Sequence, residues 1–200
     1  DVQDMVQYVP NVKFNSNANI PVIAIRGFGT GLAGRGIESP VGSVIDDVFY
    51  GHPSYLNDGV FDIKRMDVLR GPQGALFGKN TIAGVLNFVT EEAGLEWDAN
   101  LSALYTSLDG AKYEGGITVP LLEDKLGMRI AFRSNRRDLG AYNSTADKEY
   151  TQEEYSGRIK MLWLVNESVD VFFNAWYHHR DVNGVSRPVF VATEQALEKY

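Results

Sequence analysis

The sequence predicts two structural classes in one chain. A small mixed α+β unit, a mixed sheet with short helices, occupies residues 1–94. Antiparallel strands of a transmembrane β-barrel, incomplete in this chain, follow over 95–200. Three observations carry this. Before Ala93–Gly94 glycine is dense and charges sit in short motifs, whereas afterwards long segments alternate polar and apolar with period 2. No apolar run approaches the ~18 residues of a membrane helix; the longest, Ile20–Ile25 and Met161–Val165, are strand-sized. The alternating segments are each about as long as the ~9–11 residues of a membrane-crossing strand.

Composition narrows the function classes. Hydrophobic residues at 44% permit a core, and charged residues at 22% argue against disorder. The absence of cysteine removes disulfide scaffolds, thiolate metal sites and cysteine nucleophiles together. Nineteen basic against 26 acidic residues give a net charge of -7, which argues against a general nucleic-acid binder. Asp1 is not preceded by a signal peptide, so the chain is either cytoplasmic or cut before this point.

The first unit opens with Val2, Met5, Val6 and Val9 at helical spacing, closed by Pro10-Asn11. Strands are predicted over Ile20–Arg26, Val41–Phe49, Ile63–Arg70 and Gly84–Thr90. A glycine-rich loop fills Gly27–Gly36, and turns fall at Asn57-Asp58-Gly59 and Gly71-Pro72-Gln73-Gly74. The second unit holds five alternating strands. They are Asp98–Ser107, Lys112–Leu121, Met128–Arg136, Tyr155–Trp163 and Val169–His179. The links Leu122–Leu126 and Val165–Ser168 are tight, and Arg137–Glu153 is long and polar. Short turns on one side and longer loops on the other are a feature of outer-membrane barrels. Trp97 and Trp163 lie beside the tight turns; Tyr105, Tyr113, Tyr155 and Tyr177 lie toward the other ends, and parity puts all six on the apolar face. Two such levels suit two membrane–water boundaries. A soluble β-sandwich with exposed tyrosines is the alternative.

The candidate chemistry is sparse. Gly29-Thr-Gly-Leu-Ala-Gly34 fits a dinucleotide fingerprint after a strand, but Arg35-Gly-Ile-Glu-Ser-Pro-Val-Gly42 does not open the helix that would hold a pyrophosphate. A soluble nucleotide-binding enzyme built on Gly29–Gly34 is therefore the lesser reading. Gly78-Lys79-Asn80 lacks the glycine and hydroxyl of a phosphate loop, since Gln73 and Asn80 stand there. His178 and His179 point to opposite strand faces, so no metal site is expected. Nothing resembles a catalytic constellation, and no enzyme activity or cofactor is expected. Arg26 and Arg70 each close a strand just before a glycine. Such arginines are solvated or, if buried, need a carboxylate or several acceptors, because an unpaired buried charge costs roughly 3–5 kcal/mol. Arg129, Arg133, Arg158 and Lys160 form an inward basic set expected to face the first unit or a wet lumen.

One long motif adds a resemblance. Asp62-Ile-Lys-Arg-Met-Asp-Val-Leu-Arg-Gly-Pro-Gln-Gly-Ala-Leu-Phe-Gly-Lys-Asn-Thr-Ile-Ala-Gly-Val-Leu-Asn-Phe-Val-Thr90 resembles the plug-domain signature of TonB-dependent outer-membrane receptors. Ile25-Arg-Gly-Phe-Gly29 resembles their earlier plug motif, and Asp1–Val12 the helix ending in Pro-Asn-Val. Val41-Gly-Ser-Val-Ile-Asp-Asp-Val-Phe-Tyr50 resembles the strand that commonly carries a Val-Asp-Gly turn; Asp47 stands in place of that glycine, so the local turn is expected to differ. The match covers about residues 1–90, and the later residues are similar to the first barrel strands of the same family.

The resemblance implies a plug inside a 22-stranded barrel in the outer membrane of a Gram-negative bacterium. It implies active transport of a scarce small-molecule ligand, commonly a ferric siderophore, by a monomer in outer-membrane lipid. TonB and its inner-membrane complex would supply the energy, and no nucleic acid would be involved. Import of haem, cobalamin or an oligosaccharide, or a signalling role, are the alternatives. The resemblance further implies a longer receptor, with an earlier plug strand and a TonB box before Asp1. Five strands cannot close, since single-chain barrels start at about eight. Arg26 and Arg70 are implied to lock the plug onto barrel glutamates beyond Tyr200. Ligand contacts are implied for the plug loops Phe14–Asn19, Gly29–Gly36 and Gly51–Leu56, with Phe14, Arg35, His52 and Tyr55 as candidates.

Overall fold

The computed structural model describes residues 2–17, 20–29, 39–51, 56, 60–106, 110–143 and 148–183. The first unit begins with helix α1 (Val2–Val6), shorter than the predicted helix. Its apolar stripe buries Val2 and Val6, and Val9 packs against the same core. Next comes a three-stranded antiparallel sheet of β1 (Val12–Asn17), β2 (Ile20–Ile25) and β3 (Phe28–Gly29). The loop expected from Phe14 onward is strand as far as Asn17. The polar sequence of β1 carries little alternation, and pairing with all of β2, from Val12↔Ile25 to Asn17↔Ile20, makes it a strand.

The second sheet has the order β5-β4-β7-β6. Here β4 (Val41–Ile45) and β7 (Gly84–Thr90) are parallel, and β5 (Val48–Tyr50) and β6 (Ile63–Arg70) flank them antiparallel. The single strand predicted over Val41–Phe49 is instead a hairpin. Asp46 and Asp47 turn it with φ of 46° and 63°, the left-handed pair that a two-residue hairpin turn requires and that aspartate tolerates. The turn predicted at Gly71–Gly74 leads into a short helix, α2 (Gly74–Phe77). Core residues come from both sheets: Ile23 and Ile25 meet Val41, Ile45, Leu86 and Phe88.

The second unit is one antiparallel sheet in sequence order: β8 (Asp98–Thr106), β9 (Gly110–Leu122), β10 (Leu126–Asn143), β11 (Lys148–Asn166) and β12 (Val169–Asn183). Among the described residues it does not close. The expected long polar loop Arg137–Glu153 is mostly strand. Cross-strand polar pairs carry β10 and β11 past the apolar zone: Asn135 donates to Glu154 at 3.1 Å, and Arg136 pairs with Glu153 at 3.5 Å. At one level Ala99, Ile117, Ile130, Ile159 and Ala175 stand in register across all five strands. The isoleucines of this row are exposed. The opposite face carries Arg129, Arg158 and Glu154, all buried.

Candidate functional site: the interface between the two units

Three arginines on the inward face of the second unit reach three consecutive residues of the first. The segment Val60–Phe61–Asp62, just ahead of β6, is buried throughout. Arg133 Nη1 donates to Val60 O at 3.0 Å. Arg158 Nη1 donates to Phe61 O at 2.9 Å, and its guanidinium lies 4.5 Å from the centre of the Phe61 ring. Arg129 makes a two-pronged ion pair with the Asp62 carboxylate, Nε to Oδ2 at 2.8 Å and Nη2 to Oδ1 at 2.5 Å. Alternation explains the delivery: Arg129 and Arg133 lie on β10 with even spacing, so both point inward.

The Arg129 site is fully satisfied. Its remaining N–H groups go to Thr118 Oγ1 at 2.9 Å, Asp98 Oδ2 at 3.3 Å and Asn100 Oδ1 at 2.9 Å. All five guanidinium donors thus have an acceptor, as a charge with 2% exposure requires. Asp62 is equally committed. Its N–H donates to Glu114 Oε1 at 3.0 Å, and its carbonyl accepts from Glu91 N at 2.9 Å. The residue holds a φ of 57°, which turns its backbone and its carboxylate toward different partners. Gly116 makes the space. A Cβ there would lie 2.6 Å from Arg129 Nη2 and 3.2 Å from Asp62 Oδ1.

A second contact ties the β4–β5 turn to β11 and β12. Lys160 Nζ lies 2.9 Å from Asp46 Oδ2, and Asn174 Nδ2 donates to the same oxygen at 3.4 Å. Thr90, at the end of β7, donates to Asp46 through its N–H at 2.9 Å and its hydroxyl at 2.7 Å. Burial disfavours the Asp46 anion. Even so, the bonds from the Thr90 backbone, the Lys160 ammonium and the Thr90 hydroxyl together hold its carboxyl below the ordinary range. The connector between the units is fitted closely as well. A Cβ on Gly127 would collide with Gly94 O.

The inward basic set thus faces the first unit, as its parity suggests. The partners on that unit, Asp46 and residues 60–62, are not evident in the sequence. Nothing in the sequence singles out the Asp62 carboxylate, and its contact spans 67 positions. Glycine inside a strand does flag a close approach, and Gly115-Gly116 carries that signal. Of the residues singled out in the sequence, Arg26 and Arg70 are exposed and make no ion pair among the described residues. Phe14 is half-buried and packs against the core of its own unit. Arg35, His52 and Tyr55 lie outside the described residues. Trp97, just ahead of β8, and Tyr105, Tyr113, Tyr155, Trp163 and Tyr177 are all exposed, and the last five share the strand parity of the outward isoleucine row. The Tyr105 and Tyr113 rings meet edge to face with centroids 5.7 Å apart, and their hydroxyls are hydrogen-bonded.

Residues 1–85 match the family model described as TonB-dependent Receptor Plug Domain. The chain is 36% identical over 94 residues to the ferric enterobactin receptor of Pseudomonas aeruginosa, covering 44% of this chain and 12% of that protein. It is 26% identical over 153 residues to the iron-regulated outer membrane virulence protein of Vibrio cholerae, covering 69% of this chain and 22% of that protein. The crystal structure of the ferric yersiniabactin uptake receptor of Yersinia pestis superposes with a TM-score of 0.78. That match covers 89% of this chain and 28% of the receptor at 17% identity, so the likeness is one of fold. The matches thus cover between 12% and 28% of the length of these relatives.

Proposed function

We propose that this chain, which belongs to the TonB-dependent outer-membrane receptors as a plug with the first barrel strands, is part of a receptor that imports a ferric siderophore. TonB supplies the energy, and no bond of the ligand is made or broken. The observation that carries the reading is the joint itself. A plug-family domain sits on the charged inner face of strands whose outer face is apolar, the arrangement of a gated barrel rather than of a soluble core. The relatives named for ferric enterobactin and ferric yersiniabactin favour an iron complex as ligand.

The finer assignments follow from the same reading. Arg26 and Arg70 lock the plug onto carboxylates of barrel strands that follow those described. Phe14, Arg35, His52 and Tyr55 contribute to the ligand-facing side of the plug, Arg35 by pairing with an anionic ligand group and Tyr55 by stacking. The six outward aromatics mark the two membrane boundaries. Trp163 and Tyr155 stand eight residues apart on β11, about 27 Å along a strand and about 21 Å across the membrane at a ~40° tilt.

The test uses the complete receptor in a strain that lacks it. Growth under iron restriction is scored with ferric enterobactin, ferric yersiniabactin, haem and cobalamin, in cells with and without TonB. TonB-dependent growth on a ferric siderophore is the expected result. Growth on none of the four, or growth that persists without TonB, overturns it. Alanine at both Arg26 and Arg70 should release the plug and lower uptake; unchanged plug retention and uptake would remove their assignment.

A further inference from the structure

We propose that Asp62 and Arg129, with Gly116 clearing the space between them, form a plug–barrel lock that stays closed while ligand passes. Its polarity is the reverse of the contacts proposed for Arg26 and Arg70: here the plug supplies the carboxylate and the barrel the guanidinium. The inference rests on the transport reading for its second half only; the lock itself does not need it.

Three observations support a closed lock. The first is burial with full satisfaction. The two side chains are 2% and 1% exposed, and every donor of Arg129 is bonded. Withdrawing Asp62 would strand a guanidinium whose Nε and one Nη2 hydrogen lose their acceptor in a dry site, a strongly unfavourable state. The second is redundancy around it. The backbone just ahead of the carboxylate is pinned by Arg133 at Val60 and Arg158 at Phe61, and the Asp62 N–H is pinned by Glu114. The third is distribution. Among the described residues, Arg129, Arg133, Arg158 and Lys160 reach the first unit at Asp46 and residues 60–62, in or beside the four-stranded sheet. The side chains of 12–15, 21–25 and 28, in the β1–β3 sheet, form no hydrogen bond or ion pair with the barrel strands among the described residues. That sheet meets the other through apolar contacts, Ile23 and Ile25 against Leu86 and Phe88. Movement that admits ligand therefore belongs to the β1–β3 side of the plug, and residues 60–62 remain on the wall.

The experiment has two arms in the complete receptor. The first needs no ligand, so it decides the lock even if the transport reading fails. Asp62→Asn, Arg129→Gln and the double variant are compared for protease attack on the plug in outer-membrane vesicles. Each single change should speed cleavage at least five-fold, and the double should be no faster than the worse single. Additive effects, or no effect, would remove the lock. The second arm asks whether the lock opens. A Cβ on residue 116 would lie 3.2 Å from Asp62 Oδ1, so cysteines at 62 and 116 can meet, and the chain brings no cysteine of its own. Asp62→Cys, Gly116→Cys and Arg129→Ala are combined, which leaves no orphaned charge. Uptake of ferric enterobactin should be the same within two-fold before and after oxidation. A ten-fold loss on oxidation that reductant restores would show that the joint opens. Should that variant not assemble, Phe61→Cys is treated with a maleimide in energised cells given ferric enterobactin. Protection is expected, and labelling to the level of the unfolded protein overturns the proposal. Wild-type receptor that imports none of the four growth compounds refutes the transport reading and leaves the first arm to stand alone.

Discussion

In the plug, Ile23, Ile25, Leu86 and Phe88 are fully buried; in the barrel strands the large side chain with 2% exposure is Arg129, while Leu101 is 76% exposed. Both regions are built of sheets, but they place their apolar side chains in opposite senses, the first unit inside its own core and the barrel strands on their outward face. The plug needs apolar contacts to hold its two sheets together. The barrel strands need polar ones, since their apolar side already has a solvent. The joint between the regions therefore cannot be an ordinary hydrophobic interface. It is built from charges that would be ruinous if single and are tolerated because they are paired.

The largest expected effect breaks that joint. Arg129→Ala leaves Asp62 buried without its cation, a loss of about 3–5 kcal/mol. Denaturant titration of the purified receptor, followed by a probe on the plug, measures it. A loss as small as that of a surface substitution would show that water enters the site.

Next comes a test of the outward face. Ile130 is 42% exposed in the row of isoleucines at the middle of the strands. In water, Ile130→Arg would be close to neutral. At the middle of a bilayer it should cost about 2–4 kcal/mol. Unfolding from lipid vesicles reads the difference, and a neutral result would place this face in water.

How much of this could be read in the sequence differs by region for the same physical reason. The strands Ile63–Arg70 and Gly84–Thr90 are legible because turn residues bracket short runs rich in strand-forming residues. Strand β1 is not, because Lys13, Asn15 and Ser16 give no period, and its partner decides its structure. The long arms of β10 and β11 read as loop because their pairing is polar: Arg136 with Glu153, and Asn135 with Glu154. The inward arginines are legible from parity alone. Their targets are not, since Asp62 and Asp46 owe their roles to left-handed turns and to strands far along the chain. The ligand-facing role proposed for Arg35, His52 and Tyr55 rests on motif position, and these residues lie outside the described ones.

A smaller effect sharpens the packing of the joint. Gly116→Ala puts a methyl 2.6 Å from Arg129 Nη2, so either the guanidinium or the strand must shift. Overpacking of this kind costs typically about 1–3 kcal/mol. Gly157 lies two strands away on β11, where an added Cβ would meet nothing within 4 Å, so Gly157→Ala is the control and should be near neutral. Equal losses at the two positions would mean that strand propensity, and not the guanidinium, sets the need for glycine.

The smallest effect separates the two contacts by pH. Asp46 ionises more readily in the folded protein than its ordinary value of 3.8, because the Thr90 and Lys160 bonds outweigh the burial that opposes its charge. A carboxyl whose folded pKa is depressed adds stability above its unfolded pKa, about 3.9. That contribution shrinks as pH falls below that value and is gone once pH passes the folded pKa. Asp46→Asn should therefore be less stable than the wild type at pH 6, and the gap should narrow as pH falls below about 4. Lys160 stays charged throughout this window, so the change reports the carboxyl alone. Paired unfolding curves at pH 6 and pH 3 make the comparison. A gap near zero at both pH values would mean that an asparagine keeps the Thr90 bonds without the charge, and that this contact, unlike the one at Asp62, is held by hydrogen bonds rather than by ion pairing.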